Sequence, residues 1–229
     1  ILYEDEDVLA VHKPPGLPSQ ATLDPDRDHL LAALGRLLKR RGDPDPYLVL
    51  HHRLDVETSG AMILSRSERA NPGLTDAFRG RAMDKRYRAL VASPREALPE
   101  EIEDHLAPED DPPSGEAPRQ VRVHAGGDRA HTRFAIRRRL EGALEVEARP
   151  LTGRRHQLRA HLSGAGAPIL GDGLYGGPRR VAGVRAGRVM LHAWKLELEH
   201  PVTGERLELV CDPPADYVSV CEALAREGS

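Results

Sequence analysis

Apolar residues recur along this sequence mostly with the period of a strand, and no helix stands between each successive pair of strands. DKRYRALVAS alternates, with Tyr87, Ala89 and Val91 on one face and Arg86, Arg88 and Leu90 on the other. HTRFAIRRRL and ALEVEARPL read as a hairpin turning at Glu141 and Gly142. RVMLHAWKLELEHPVTGERLELVC reads as a second hairpin connected by HPVTGE. ILYEDEDVLAVHKP gives two short strands around an acidic turn, and LVLHHRLD and GAMILSRS give two more. Helical spacing is read in HLLAALGRLLKRRG (Leu30, Leu31, Leu34, Leu37 and Leu38, with Gly42 as a stop), and RANPGLTDAFRGRAM and GRRHQLRAHLSGAG read as helices. LAPEDDPPSGEAPRQ is a polar, Pro-rich insertion expected to be a mobile loop. This pattern predicts an α+β fold with a largely antiparallel sheet.

The 229 residues suit one large domain or two small ones. Aromatic residues make up only 3%, so the core must be mainly aliphatic. Cys211 and Cys221 form no CxxC, and their spacing fits reduced thiols in a cytosolic protein better than a disulfide or zinc framework. No apolar run reaches membrane-spanning length, and the first residues are acidic rather than those of a signal peptide. A net charge of −3 argues against a general polyanion binder. The base is clustered, however, at Arg36 to Arg41, Arg133 to Arg139, Arg149 to Arg159 and Arg179 to Arg188. Any single cluster reads as a solvated face; four together suggest a basic surface.

GDGLYG (171–176) matches GxGxxG, but it runs on into GPRRVAGVRAGR, which has Pro178 and no helical period. The fingerprint works only where it opens a helix whose N-terminus holds pyrophosphate, so a nucleotide site is not expected. The histidines form no HExxH and no paired Cys/His spacing, so no metal is expected. The loop RLDVETSG interrupts two strands and gathers Arg53, Asp55, Glu57, Thr58 and Ser59 behind His52. By pattern alone Asp55 is an Asx-turn or cap residue more often than a nucleophile. TGRRHQLRAHL then adds Arg154, Arg155, His156, Arg159 and His161; on a helix, Arg155 and Arg159 would share a face. A guanidinium beside an aspartate holds the carboxylate in place and in its charged form. Tyr87, between Lys85 and Arg88, reads equally as a core tyrosine or as a ring reaching into a cleft.

HRLDVETSG resembles the HRLDxxTSG motif of the RluA family of pseudouridine synthases. KRYRALV resembles its KxYxAxV segment, and TGRRHQLRAHLSGAGAPILGDGLYGG its TGRxHQxRxHLxxxGxPIxGDxxYG segment. ILYEDEDVLAVHKPPGL resembles the family's opening strands and LHAWKLELEHPVTGE its closing hairpin, so the match runs in order from Ile1 to about Pro214. Arg155 stands where the family commonly has Thr, Ser or Lys, and the N-terminal S4-type RNA-binding domain of many members has no counterpart in these residues. The resemblance implies a single catalytic domain over 1–229, built on one bent, mainly antiparallel sheet with a central cleft. It implies isomerisation of uridine to pseudouridine in ribosomal or transfer RNA, without cofactor or metal, by a monomer in the bacterial cytosol that needs no protein partner. Asp55 carries over as the catalytic aspartate, Arg159 as its ion-pair partner, and Tyr87 as the residue packing on the target base. His52 and Arg53 are candidates for filling the space a flipped base leaves. Thr58, Arg154, His156 and Gln157 fall to substrate and RNA binding. Two other classes stand beside this reading: an RNA-binding module without catalysis, against which Asp55, Tyr87 and Arg159 together argue, and a nucleotide-dependent enzyme using GDGLYG.

Overall fold

In a computed structural model of the chain, which describes residues 1–80, 82–109, 119–123 and 126–226, the order of elements is that of an α+β protein. It runs β1 (Tyr3–Glu4), β2 (Val8–Lys13), α1 (Leu30–Arg40), β3 (Val49–Leu50), β4 (Ser59–Ser65), α2 (Asn71–Arg79), β5 (Asp84–Ala92), β6 (Glu101–Pro108) and β7 (Gln120–Val123). It continues with β8 (Asp128–Leu140), β9 (Ala143–Pro150), α3 (Gln157–Gly164), β10 (Arg180–Val181), β11 (Val184–Arg185), β12 (Leu191–Glu199), β13 (Arg206–Val210) and α4 (Ala215–Arg226). The expected α+β class is present, with mainly antiparallel pairing and a parallel pair between β4 and β12. The chain divides into two compact units, Ile1–Lys85 with His192–Pro213, and Arg86–Leu191 with Pro214–Ser229.

In the first unit, β4 is buried at every position, and its apolar run needs cover on both faces. Antiparallel β2 flanks it in register from Val8↔Ser65 to Lys13↔Gly60, and β12 runs parallel to it at Ser59 and Gly60. The predicted β12–β13 hairpin forms. Val8, Ala10, Ile63, Leu74, Leu196 and Leu209 fill the core; burying each of the Val, Ile and Leu side chains is worth roughly 1.5–3 kcal/mol. Helix α1 buries Leu30, Leu34 and Leu38 as its period requires, and the His29 ring accepts the Ala32 N–H at its start. LVLHHRLD departs from expectation, because only Val49 and Leu50 are strand. From His51 onward the segment is tied by side chains instead of a ladder, as described below.

The second unit pairs β5, β9, β8, β6 and β7 antiparallel in that order. Its core gathers Leu90, Phe134, Val146, Leu158, Leu162, Ile169 and Tyr217. Leu90, which simple alternation places with the arginines, is fully buried. Its N–H donates to the Met190 carbonyl and its own carbonyl accepts from Leu170, and Ala89, Leu90 and Val91 are all buried, so this half of β5 is covered on both faces. Two ends of the expected Pro-rich loop are strand: Leu106 is buried in β6, and Gln120 pairs with Pro108. The rest of that loop, 110–118, lies outside the described residues. Helix α4 places Tyr217, Val220, Cys221 and Leu224 in the core at helical spacing. Burial pushes both thiols, Cys211 and Cys221, up to about 11.

Candidate active site

Asp55 sits on a loop of the first unit whose backbone is fastened on both sides of it. On one side, the Ser19 hydroxyl donates to the Leu54 carbonyl (3.0 Å) and accepts the Leu54 N–H (3.2 Å). On the other, the Val56 carbonyl accepts from Gly16 N–H (2.8 Å) and from the Lys13 ammonium (3.1 Å). Lys13 is fully buried and also donates to the carbonyls of Pro14 and Leu17, both at 2.8 Å. The turn itself closes from the Thr58 N–H to the backbone carbonyl of Asp55 (3.1 Å), so the backbone supplies the bond that closes it. Asp55 is partly buried. Gly60 ends the motif for a steric reason: a Cβ there would lie 2.3 Å from the Ala193 carbonyl oxygen of β12, at a φ of +131°. Beside it, Ser59 and His192, both buried, bond at 2.9 Å.

His52 braces this loop. Its ring stacks on Phe78 with centroids 4.4 Å apart, and Nε2 accepts the Ile63 N–H at 3.1 Å. Burial, with the nearby positive charge of Lys85, pulls its pKa down to about 3. The ring is thus fixed within the fold, whereas Arg53, the other candidate for a flipped base's place, is exposed. His51 turns to other partners, Ser65 and Thr75. Thr58 is 2% exposed.

In the second unit, Tyr87 lies on β5 opposite Ala148, partly buried against the core. Arg159 lies in α3 and is buried. Its Nε and one Nη each reach a carboxylate oxygen of Asp172 at 2.7 Å, and its guanidinium stands 4.9 Å from the centroid of the Tyr175 ring. The helix begins only at Gln157, and His156 ahead of it has φ +52° in the left-handed region. Arg155 therefore precedes the helix and does not share an i, i+4 face with Arg159, contrary to expectation. Gln157 is held within the fold. Its amide accepts from Thr152 and Arg154 and donates to His131 and Thr132, which uses its donors and acceptors within the fold. Arg154 is exposed, with Asp128 at 3.3 Å, and Arg155 is exposed. His156 Nδ1 lies 3.1 Å from the Tyr175 hydroxyl. GDGLYG opens no helix; Gly173–Tyr175 is a single 3-10 turn, so the helix terminus a pyrophosphate would need is not there.

The basic clusters divide in two. On β8, Arg133 faces Glu101, Arg137 faces Glu147, and Arg138 bonds Glu145 at 2.6 Å. Arg129 likewise meets Glu103 at 2.6 Å. In the β10–β11 ribbon, Arg179, Arg180 and Arg185 are exposed and, among the described residues, have no carboxylate at ion-pair distance. Sequence reading misses Lys13, and it quotes Asp172 and Tyr175 without giving them work.

Residues 7–164 match the model of a family described as RNA pseudouridylate synthase. The chain is 32% identical over 232 residues to ribosomal large subunit pseudouridine synthase C of Pasteurella multocida, covering 100% of this chain and 69% of that protein. It is 35% identical over 208 residues to the dual-specificity RNA pseudouridine synthase RluA of Haemophilus influenzae, covering 90% of each. Among solved structures it resembles human RNA Pseudouridylate Synthase Domain Containing 4, with a TM-score of 0.78 and 28% identity, over 98% of this chain and 92% of that one.

Proposed function

Because this chain belongs to the RNA pseudouridine synthase family and matches its RluA-type members, we propose that it converts specific uridines of ribosomal or transfer RNA to pseudouridine, with Asp55 acting at the sugar. As a member of that family it is an isomerase. The observation that carries the Asp55 assignment is the fastening of Leu54 and Val56 on either side of it. A reacting carboxylate must be held to a fraction of an ångström, and a loop gains that precision only when its backbone is anchored.

The reaction breaks the bond between ribose C1′ and uracil N1. The base turns, C5 bonds to C1′, the C5 proton leaves and N1 takes one up. The Asp55 carboxylate starts this either by attacking C1′ or by removing the proton on the neighbouring carbon. Tyr87 packs on the target base and is the candidate acceptor of the C5 proton. Arg159 supplies the family pattern's positive charge. The uridine reaches the site flipped out of its stack, with arginines on the flanking phosphates and Arg53 in the space it leaves. The reaction has no redox change and no group donor, so none of these steps calls for a cofactor. The bacterial names of the relatives support a cytosolic setting.

The test is Asp55→Asn, which keeps the shape and removes the charge. Release of tritium from C5-labelled ribosomal and transfer RNA transcripts should fall to background, while stability stays within about 1 kcal/mol, since Asn serves turns as well as Asp. Undiminished release by this variant sinks the Asp55 assignment. No release by the unaltered protein on any transcript favours a binding module.

A further inference from the structure

The GDGLYG segment opens no helix for a dinucleotide, yet its backbone is bonded closely to itself. Asp172 N–H donates to the Ile169 carbonyl (3.1 Å), and the Asp172 carbonyl accepts from Tyr175 (3.2 Å) and Gly177 (2.7 Å). Gly171 N–H donates to the Pro178 carbonyl (2.9 Å), closing the segment on itself. Gly171 has a φ of +79°, and a Cβ there would lie 1.8 Å from the Arg188 carbonyl oxygen, so no side chain fits. Everything in the loop fixes where the Asp172 side chain stands.

That side chain is fully buried, and both of its oxygens go to Arg159. The pair uses two of the guanidinium's five N–H donors and sets the plane in which the other three lie. Tyr175 holds the same guanidinium from its ring face, and the Tyr175 hydroxyl is itself held, accepting the Gln120 N–H at 2.7 Å. Buried ion pairs add little net stability, because desolvation offsets their attraction, so stability alone does not account for a guanidinium so fully built in. We propose that Asp172 is the positioning residue for Arg159, and that GDGLYG is the seat that aims the guanidinium for the reaction. This rests on the reading of Arg159 as part of the catalytic machinery.

Three variants test it by kcat and KM for tritium release, alongside thermal unfolding: Arg159→Gln, Asp172→Asn and the two combined. Arg159→Gln should abolish turnover. Asp172→Asn should lower kcat by about a hundredfold, the effect of a misplacement near 1 Å, and leave KM within about twofold. The combined variant should be no slower than Arg159→Gln alone. A merely structural Asp172 would lower the melting temperature without this split between kcat and KM. Wild-type kcat in Asp172→Asn, with Arg159→Gln inactive, overturns the positioning role and leaves the proposed function standing. Wild-type kcat in Arg159→Gln overturns the catalytic reading of Arg159 itself. If Asp172→Asn does not fold, Asp172→Glu serves, since its charge is kept and its fork is displaced by one methylene. A folded Glu variant with wild-type kcat also overturns the proposal, and a folded one with reduced kcat and unchanged KM supports it.

Discussion

Asp55 and Asp172 are both aspartates on short loops, and the fold treats them in opposite ways. Around Asp55 the anchors grip the neighbours: Ser19 takes Leu54, and Gly16 and Lys13 take Val56, and the aspartate is partly exposed. Around Asp172 the anchors grip the aspartate itself, which is fully buried with both oxygens on Arg159. The Asp55 side chain is presented by fixing the backbone on either side of it. A side chain meant to steer another is taken up completely. Burial thus separates two carboxylates that look alike in sequence.

The contrast breaks most severely at Lys13. Lys13→Met keeps the apolar stem and removes the ammonium under the Asp55 loop. The carbonyls of Pro14 and Leu17 lose a buried donor, and Val56 keeps only Gly16. We expect a loss of about 2–6 kcal/mol in urea unfolding, from about 1–3 kcal/mol for each of the two orphaned acceptors. A midpoint unchanged within error means that the loop does not depend on this brace.

Acid should act more mildly, through histidines held neutral. Burial keeps His52 near 3 in the first unit and His161 near 4 in the second, each below the usual 6.5. A group whose pKa is depressed on folding contributes full stability above its unfolded value and loses it as pH falls. The unfolded chain takes up protons that the folded chain refuses, so stability should decline from pH 6.5 toward 4. By pH 5 each histidine should cost about 1–2 kcal/mol. His161→Asn keeps a polar atom where Nδ1 meets Thr132 and removes the titration. Its unfolding free energy should fall less steeply with acid than that of the unaltered protein; parallel curves refute the His161 contribution.

The smallest effect separates arginines taken up by the fold from those available to RNA. Arg185→Gln should flatten the slope of log affinity against log salt by about 0.7–0.9, as loss of one phosphate contact does. Arg133→Gln, whose charge faces Glu101, should leave the slope unchanged. Equal slopes for the two variants would show that the carboxylate neighbours do not decide the matter.

Where periodicity was intact, the sequence foretold the structure: the leucine stripe of α1, the β8–β9 and β12–β13 hairpins, and the loop carrying Asp55. It hid β6, because Asp104 stands on the inward face between Ile102 and Leu106. There it pairs with Arg122 at 2.6 Å, and the alternation is lost to the eye. Lys13 was hidden because lysine is almost never fully buried, so nothing in KPPGL suggests a structural ammonium. Arg159 and Asp172 were both visible as motif letters, but thirteen positions separate them, and only the fold shows that they meet. Clusters of arginine misled in the other direction, since half of the meaning of Arg133 to Arg138 lies in glutamates on neighbouring strands.

The Gly16 amide has a consequence for observing the molecule at work. Its hydrogen goes to the Val56 carbonyl, next to Asp55, so it can exchange with deuterated solvent only when that strap lets go. One backbone proton therefore times the opening of the loop, and it does so with no RNA bound and no chemistry under way.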